Sequence, residues 1–409
     1  MPVAAGGAAV CHDGRYRRRH GLFILKKRSI LGMKICFLIT GLSVGGAEMM
    51  LYKLLKHRSC LRQGVVVSLI SGGEMAHRIE ALGVRVVGLH MRRGLPDISV
   101  LWRLVYLLRS EKFDLLSTWM YHADFLGGVA AWMANIPVLW NIRNSDLDAS
   151  KTKWTTRALV NLCGKLSRVV PERIISCSAA ARDIHVELGY QRKKFQIIPN
   201  GFDLQGFKPD PEARKSVRAE LGVPADAHLV GVVARFDPQK NHVGFLDAAQ
   251  HIAKARPNVH FVLVGTEVTW ENETLRQKIE DSGLRARLHL LGPRTDIARL
   301  MASFDVLVSS SYGEAFPNVL GEAMACGVPC VATNAGDSAY IVGDTGRIVS
   351  VGDMHALAGS VVDVLSMSST ERTALGNRAR ARVEELFEIG QIAKEYEKIF
   401  EEVRHTCVA

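Results

Sequence analysis

Short apolar runs alternate with helix-length segments through most of this chain, and they do so in two series. The first series is KICFLIT (34–40), GVVVSLI (64–70), VRVVGLH (84–90), DLLSTWM (114–120), PVLWNIR (137–143), RIISCSA (173–179) and FQIIPNG (195–201). Runs of this kind predict strands, and strands alternating with helices predict a parallel sheet with helices on both faces. The pattern then restarts with LVGVVARF (229–236), HFVLVG (260–265), LHLLG (288–292), DVLVSSS (305–311), PCVAT (329–333) and GRIVS (346–350). Two segments of helical period follow, STERTALGNRARARVEELF and GQIAKEYEKIFEEV. The fold class is therefore α/β, with two doubly wound domains facing each other. Ligands of such sheets bind outside the carboxyl ends of the strands, so the cleft between the domains is the expected site.

Between the two series lies PNGFDLQGFKPDPEARKSVRAELGVPADAH (199–228), rich in Pro, Gly and charge, which reads as a linker with the boundary near Asp203. This divides the chain into an extension at 1–32, a first domain at 33–203, a second at 204–388, and a last helix at 389–409 able to cross back to the first domain. The extension is basic but has no long apolar stretch or small-residue cleavage site of a signal peptide. It is expected to be disordered, with a misassigned start codon as one explanation and a membrane-surface anchor as the rival reading.

Composition narrows the class. At 409 residues the chain exceeds one ordinary core. No segment reaches the roughly 18 uninterrupted apolar residues of a membrane span; FLGGVAAWMANIPVLW is broken by Asn135 and Pro137. The eight cysteines are scattered through apolar segments, as buried thiols of a reducing cytoplasm are. Net charge is +11, unevenly placed: +6 over residues 1–32, +10 over 33–203 and −5 over 204–409. A basic first half suits an anionic surface or ligand, such as lipid headgroups or a lipid-linked phosphate, and equally a merely solvated face. Nucleic acid is disfavoured, since neither a basic–aromatic stripe nor a binding module is found.

Candidate chemistry sits where strands end. GEAFPNVLGEAMACGVP (313–329) predicts a helix over 317–326, opened by Pro317 and closed by Gly327 and Pro329. Glu314 then lies in the preceding loop and Glu322 within the helix, so the two carboxylates can reach different parts of one elongated ligand. In GLSVGGAEMM, Gly45 and Gly46 open the first helix, where backbone amides favour an anion; a tight turn alone would need the same glycines. ARFDPQKN carries Arg235 and Lys240 around a turn, aimed either at one diphosphate or into surface salt bridges. His122 ends a strand and is either functional or structural. Two metal signals are weak: Asp146 and Asp148 form a D-x-D without strand-end context, and Cys326 and Cys330 have no partnering Cys or His pair nearby.

Together GGAE, PNGFD, RFDPQKN and above all GEAFPNVLGEAMACGVPCVAT resemble the family 4 glycosyltransferases, whose fold is two Rossmann-like domains facing a cleft (GT-B). The resemblance covers about residues 34–403, and MYHADFLGG with NIRNSDLD is similar to bacterial members that build surface polysaccharides (lipopolysaccharide, capsule or exopolysaccharide). It implies that Glu322 holds ribose hydroxyls and Glu314 those of the transferred sugar. The amides around Phe316, Pro317, Asn318 and Val319 would face the donor. Arg235 and Lys240, helped by Gly45 and Gly46, would neutralise the diphosphate without a metal, and His122 would contact the donor sugar near the reacting carbon. It further implies retention of anomeric configuration, and no carboxylate nucleophile is evident in the first domain. No cofactor is implied: a UDP- or GDP-linked sugar is substrate, and the acceptor is a glycan or a lipid-linked molecule. The location implied is the cytoplasm, with peripheral contact to the inner face of an anionic membrane as a further partner. Asn334 and Ser338 depart from the common pattern and bear on base and sugar specificity. The competing readings are a nucleotide-sugar epimerase on the same fold and a non-catalytic sugar-nucleotide-binding protein. A phosphorylase lacks its cofactor motif, and a dinucleotide oxidoreductase has the wrong glycine spacing.

Overall fold

In the computed structural model the described residues are 32–91, 97–145 and 153–406. The extension up to residue 31 and the D-x-D at Asp146 and Asp148 lie outside them. All thirteen apolar runs form strands: β1 (Ile35–Ile39), β2 (Val65–Ser68), β3 (Arg85–Gly88), β4 (Leu115–Trp119), β5 (Val138–Ile142), β6 (Arg173–Ser176) and β7 (Phe195–Ile197) in the first half. The second half holds β8 (His228–Val233), β9 (Val259–Val264), β10 (Leu288–Leu290), β11 (Val306–Ser309), β12 (Cys330–Thr333) and β13 (Arg347–Val349). They make two sheets, of seven strands ordered β3-β2-β1-β4-β5-β6-β7 and of six ordered β10-β9-β8-β11-β12-β13. Every pairing is parallel, as in Phe37 opposite Val66 and Ser117. Every residue of β1, β2, β4 and β5 is buried, which is why these strands read as unbroken apolar runs.

Strand order reverses between β1 and β4 in one sheet and between β8 and β11 in the other. Loops leaving these four strands diverge to opposite faces and open a crevice between them. The candidate residues Gly45 and Gly46, His122, Arg235 and Lys240, and Glu314 lie on the segments following those four strands.

One expectation fails. The stretch expected to be a linker contains the helix Pro211–Leu221, with Asp210 accepting from the amides of Glu212 and Ala213 and Gly222 closing it at φ +63°. Its charges misled the reading because they are satisfied internally. Arg214 and Arg218 each meet the buried Asp305 at 2.8 Å, so the segment belongs to the body of the second half.

The last helix, Ile389–Thr406, packs on the first sheet: Tyr396 stacks on Trp119 at 6.2 Å, Phe400 meets Phe37, and Glu397 takes both arms of Arg58 at 2.6 Å. The chain thus passes between the halves twice. The two passages are bonded to each other, Phe202 N to Phe387 O at 2.8 Å and Ile389 N to Phe202 O at 3.1 Å. No helix among the described residues is long and apolar enough to cross a membrane.

Candidate active site

Pro317 is the N-cap rather than the first residue of the helix Asn318–Ala325, and Gly327 closes its C-terminal turn at φ +73°. The helix Gly46–His57 begins at Gly45, and neither helix start carries a side-chain cap. Asp97, Ser178, Asp210 and Asn272 do cap helices elsewhere. The two uncapped starts meet across the halves: a Cβ on Gly46 would lie 3.7 Å from the side-chain Nδ2 of Asn318. Their positive dipole ends therefore converge, with the Glu48 carboxylate seated over the first of them.

A cavity of about 540 Å³ lies at that convergence and takes its walls from both halves. It gathers Gly46, Arg235, Lys240 and Glu314, together with residues 316–319. Lys240 Nζ stands 2.5 Å from Glu314 Oε1, which also accepts from Ser311 Oγ at 2.8 Å. Arg235 is largely exposed and leans on Asp237 at 3.2 Å. The cations expected to share one diphosphate are on one wall, each held by a carboxylate. Phe316 also lines this cavity, and its buried ring packs against Phe202 and Phe387 beside the two chain crossings.

Three predicted residues are not on that wall. Glu322 points to the first half, where Lys53 Nζ lies 3.9 Å away, beyond hydrogen-bond distance. Burial raises the Glu322 pKa and the Lys53 charge counters it. Burial lowers Lys53 in turn, opposed by Glu322 and Asp203. Glu314 therefore lines the cavity while Glu322, further along the helix, lies at the interface between the halves. Gly45 stands aside, its backbone covered by the Glu48 carboxylate, which a Cβ there would meet at 2.4 Å.

His122 lines a second cavity, about 430 Å³, built by the first half alone from residues such as Ser43, Glu48, Gly72, Gly73 and Thr156. Asn144 belongs to both cavities, so they adjoin. Met120, two residues before His122, holds φ +76° and ψ 154°, a conformation that costs a non-glycine residue on the order of 1–3 kcal/mol and recurs at functional sites. Desolvation lowers the His122 pKa, and desolvation raises that of Glu48.

Sequence reading missed three groups. Arg143 lines the first cavity; its Nη1 donates to Asn200 Oδ1 at 2.7 Å, and Asn200 Nδ2 donates to Asn318 Oδ1 at 2.8 Å. The guanidinium lies 4.8 Å from the Trp119 ring centre, and its Nε and Nη2 are buried without a hydrogen-bond acceptor. Burial pulls its pKa down to about 10, offset in part by the Cys177 thiol. Lys53 and Glu48 are the others; the PNG and GGAE segments marked the neighbourhood but not the contacts. Among the described residues no cluster of three metal-ligating side chains occurs, and Cys326 and Cys330 are buried with their sulfurs near backbone carbonyls.

Comparison with known proteins places this geometry. Residues 44–205 match Glycosyltransferase Family 4, and residues 227–367 match Glycosyl transferases group 1. The chain is 30% identical over 316 residues to the N-acetyl-alpha-D-glucosaminyl L-malate synthase of Bacillus anthracis, covering 75% of this chain and 79% of that one. It is 28% identical over 276 residues to the Escherichia coli UDP-Gal:alpha-D-GlcNAc-diphosphoundecaprenol alpha-1,3-galactosyltransferase, covering 66% and 71%. The crystal structure of Anabaena HepE in complex with UDP superposes with a TM-score of 0.80 at 25% identity, covering 90% of this chain and all of that one (100%). A sheet pair wound as this one is, with both halves matched in order and relatives of this coverage, makes the chain a member of glycosyltransferase family 4, with the GT-B fold and transferase activity of that family.

Proposed function

We propose that the protein transfers a sugar from a UDP-linked donor to a lipid-linked or glycan acceptor at the cytoplasmic side of the membrane, in building a bacterial surface polysaccharide, with retention of configuration and without a metal. The observation that carries this is the cavity between the halves, where two uncapped helix starts, Arg235, Lys240 and the Arg143 guanidinium surround one space. Such a site suits a diphosphate leaving group: charge that develops on it meets fixed cations and amides that need no reorganisation. The similarity to UDP-binding HepE and to a UDP-galactose enzyme supports uracil as the base.

In this reading Lys240 exchanges Glu314 for the diphosphate as donor binds, which releases Glu314 to accept from sugar hydroxyls. Glu322, whose Lys53 contact is longer than a hydrogen bond, accepts from the ribose. His122 meets the donor sugar from the first half. The adjoining cavity, with Glu48 and two glycines, receives the acceptor hydroxyls.

The test is thermal stabilisation of the full chain by UDP, GDP, ADP and NAD, each with and without EDTA. UDP should stabilise by mass action, the shift should survive EDTA, and Glu322→Ala should remove it. Stabilisation by NAD alone, or loss with EDTA, would overturn the assignment; product anomericity by NMR decides retention.

A further inference from the structure

The segment that leaves β12, residues 334–337, is the stretch whose Asn334 departs from the common pattern, and it forms the bed of the Glu314 loop. Thr333 Oγ1 donates to Ser311 O at 2.6 Å, and Asp337 N donates to Ala315 O at 3.2 Å. Gly336 holds φ +56° between them, and a Cβ on it would collide with the carbonyl oxygen of Glu314. The Glu314 carboxylate, which accepts from Lys240 and Ser311, therefore sits on backbone that 333–337 holds on both sides of it.

The side chain of Asp337 leaves the second half altogether. Its Oδ2 accepts from Ala179 N at 3.0 Å and its Oδ1 from Ala180 N at 3.1 Å, the opening amides of the helix Ala179–Glu187 in the first half. Ser178, the helix's own cap, takes the next amide, Ala181 N, at 3.0 Å. One helix start is thus held jointly by its own half and by a buried carboxylate from the other, which meets both the amides and the positive dipole end. The same helix reaches the His122 cavity. His185 is fully buried on it; its Nδ1 donates to Ala181 O at 2.6 Å, which leaves Nε2 to accept from the Tyr121 hydroxyl at 2.9 Å. Tyr121 lines that cavity and adjoins His122 in sequence. One run of contacts therefore joins the Glu314 loop to the residue beside His122.

We propose that Asp337 is a positioning residue for the transfer: it couples the donor loop of the second half to the helix that backs the acceptor wall of the first, so that filling the donor site is felt at Tyr121. The inference deepens the donor reading above and rests on it, because it needs Lys240 to leave Glu314 when a diphosphate binds. Coupling of this kind needs an element that both sites bias, and Asp337 has a contact on each side, through its backbone to Ala315 and through its carboxylate to Ala179 and Ala180. Ser178 serves as the comparison, since it caps the same helix without leaving the first half.

The experiment is hydrogen exchange of the full chain, read on the amides of 180–187 with and without UDP, for wild type, Asp337→Asn, Ala179→Pro and Ser178→Ala. Asp337→Asn keeps the shape and loses the charge. Ala179→Pro deletes one donor from the other side of the contact, at a first helical position where proline is favoured, so the helix remains. Without UDP, Asp337→Asn should speed exchange at the helix start by about tenfold or more, as loss of a charged hydrogen bond does, and Ser178→Ala by less. UDP should raise the melting temperature of all four proteins, because its own contacts are intact. It should slow exchange of 180–187 in wild type and in Ser178→Ala, and this slowing should be largely lost in Asp337→Asn and Ala179→Pro. Slowing that survives both of those variants would overturn the coupling. So would its loss in Ser178→Ala as well, which would leave Asp337 a helix cap and nothing more, or a wild type that UDP stabilises with no change at 180–187. A wild type that UDP does not stabilise would instead refute the donor assignment, and the coupling with it.

Discussion

Two adjoining cavities share Asn144 and are made of opposite materials. The one between the halves is built from cations and helix starts, with Glu314 and Asp237 holding Lys240 and Arg235 in place. The one beside His122 comes from the first half alone and is lined by Leu42, Ile70, Met120 and Tyr121 as well as serines, glycines, His122 and the carboxylate of Glu48. In the proposed reading the first takes the diphosphate and the second the acceptor hydroxyls. That reading puts leaving group and acceptor on different walls, and it can be broken one residue at a time.

The largest effect should come from Lys240→Ala. Removing a fixed cation from a developing diphosphate should lower kcat by about 10²–10³-fold. Turnover within threefold of wild type would show that the cavity between the halves is not the donor site. Arg143→Met should act in the same direction. Because Arg143 also ties Asn200 to Asn318, its loss should reduce donor affinity as well as kcat.

Next in size is Glu322→Ala, read by calorimetry with UDP. Loss of a carboxylate that accepts from hydroxyls should weaken binding by about tenfold or more and leave the acceptor KM unchanged. Glu48→Gln should give the mirror image: acceptor KM rises several-fold, about what one charged hydrogen bond is worth, with UDP affinity unmoved. If both variants change the same parameter, the two cavities are one site.

How much of this was legible depended on distance along the chain. The central strands β1, β2, β4 and β5 could be read because a parallel strand buried on both faces has no polar alternation to obscure it. Glu314 and Lys240 could be named because each sits within a few residues of a turn with a strong local signature. The rest is made by residues far apart: Asn200 and Asn318 are separated by 118 positions and Lys53 from Glu322 by more than 250, and no local pattern encodes their meeting. The helix at 211–221 was hidden for a different reason, since its arginines read as solvated while Asp305 waited 91 and 87 residues away.

The smallest predicted effect is also the one that best separates the two walls. Desolvation favours neutral His122, so its proton is taken up at lower pH than in an ordinary imidazole. An unshifted histidine, with a pKa near 6.5, would cost about half the activity at that pH if the neutral ring were required. His122 should cost less, and the halving should come at lower pH in a kcat/KM profile. The same shift has a consequence for stability. The unfolded chain takes up this proton first as pH falls, so the contribution of His122 is present above the unfolded value and declines below it. His122→Asn should therefore flatten both the acid limb of the activity profile and the fall of the melting temperature below about pH 6.5. A flattened melting curve with an unchanged activity profile would mean that the ring titrates without taking part in turnover, and the acceptor cavity would then have to work through Glu48 and Asn144 without it.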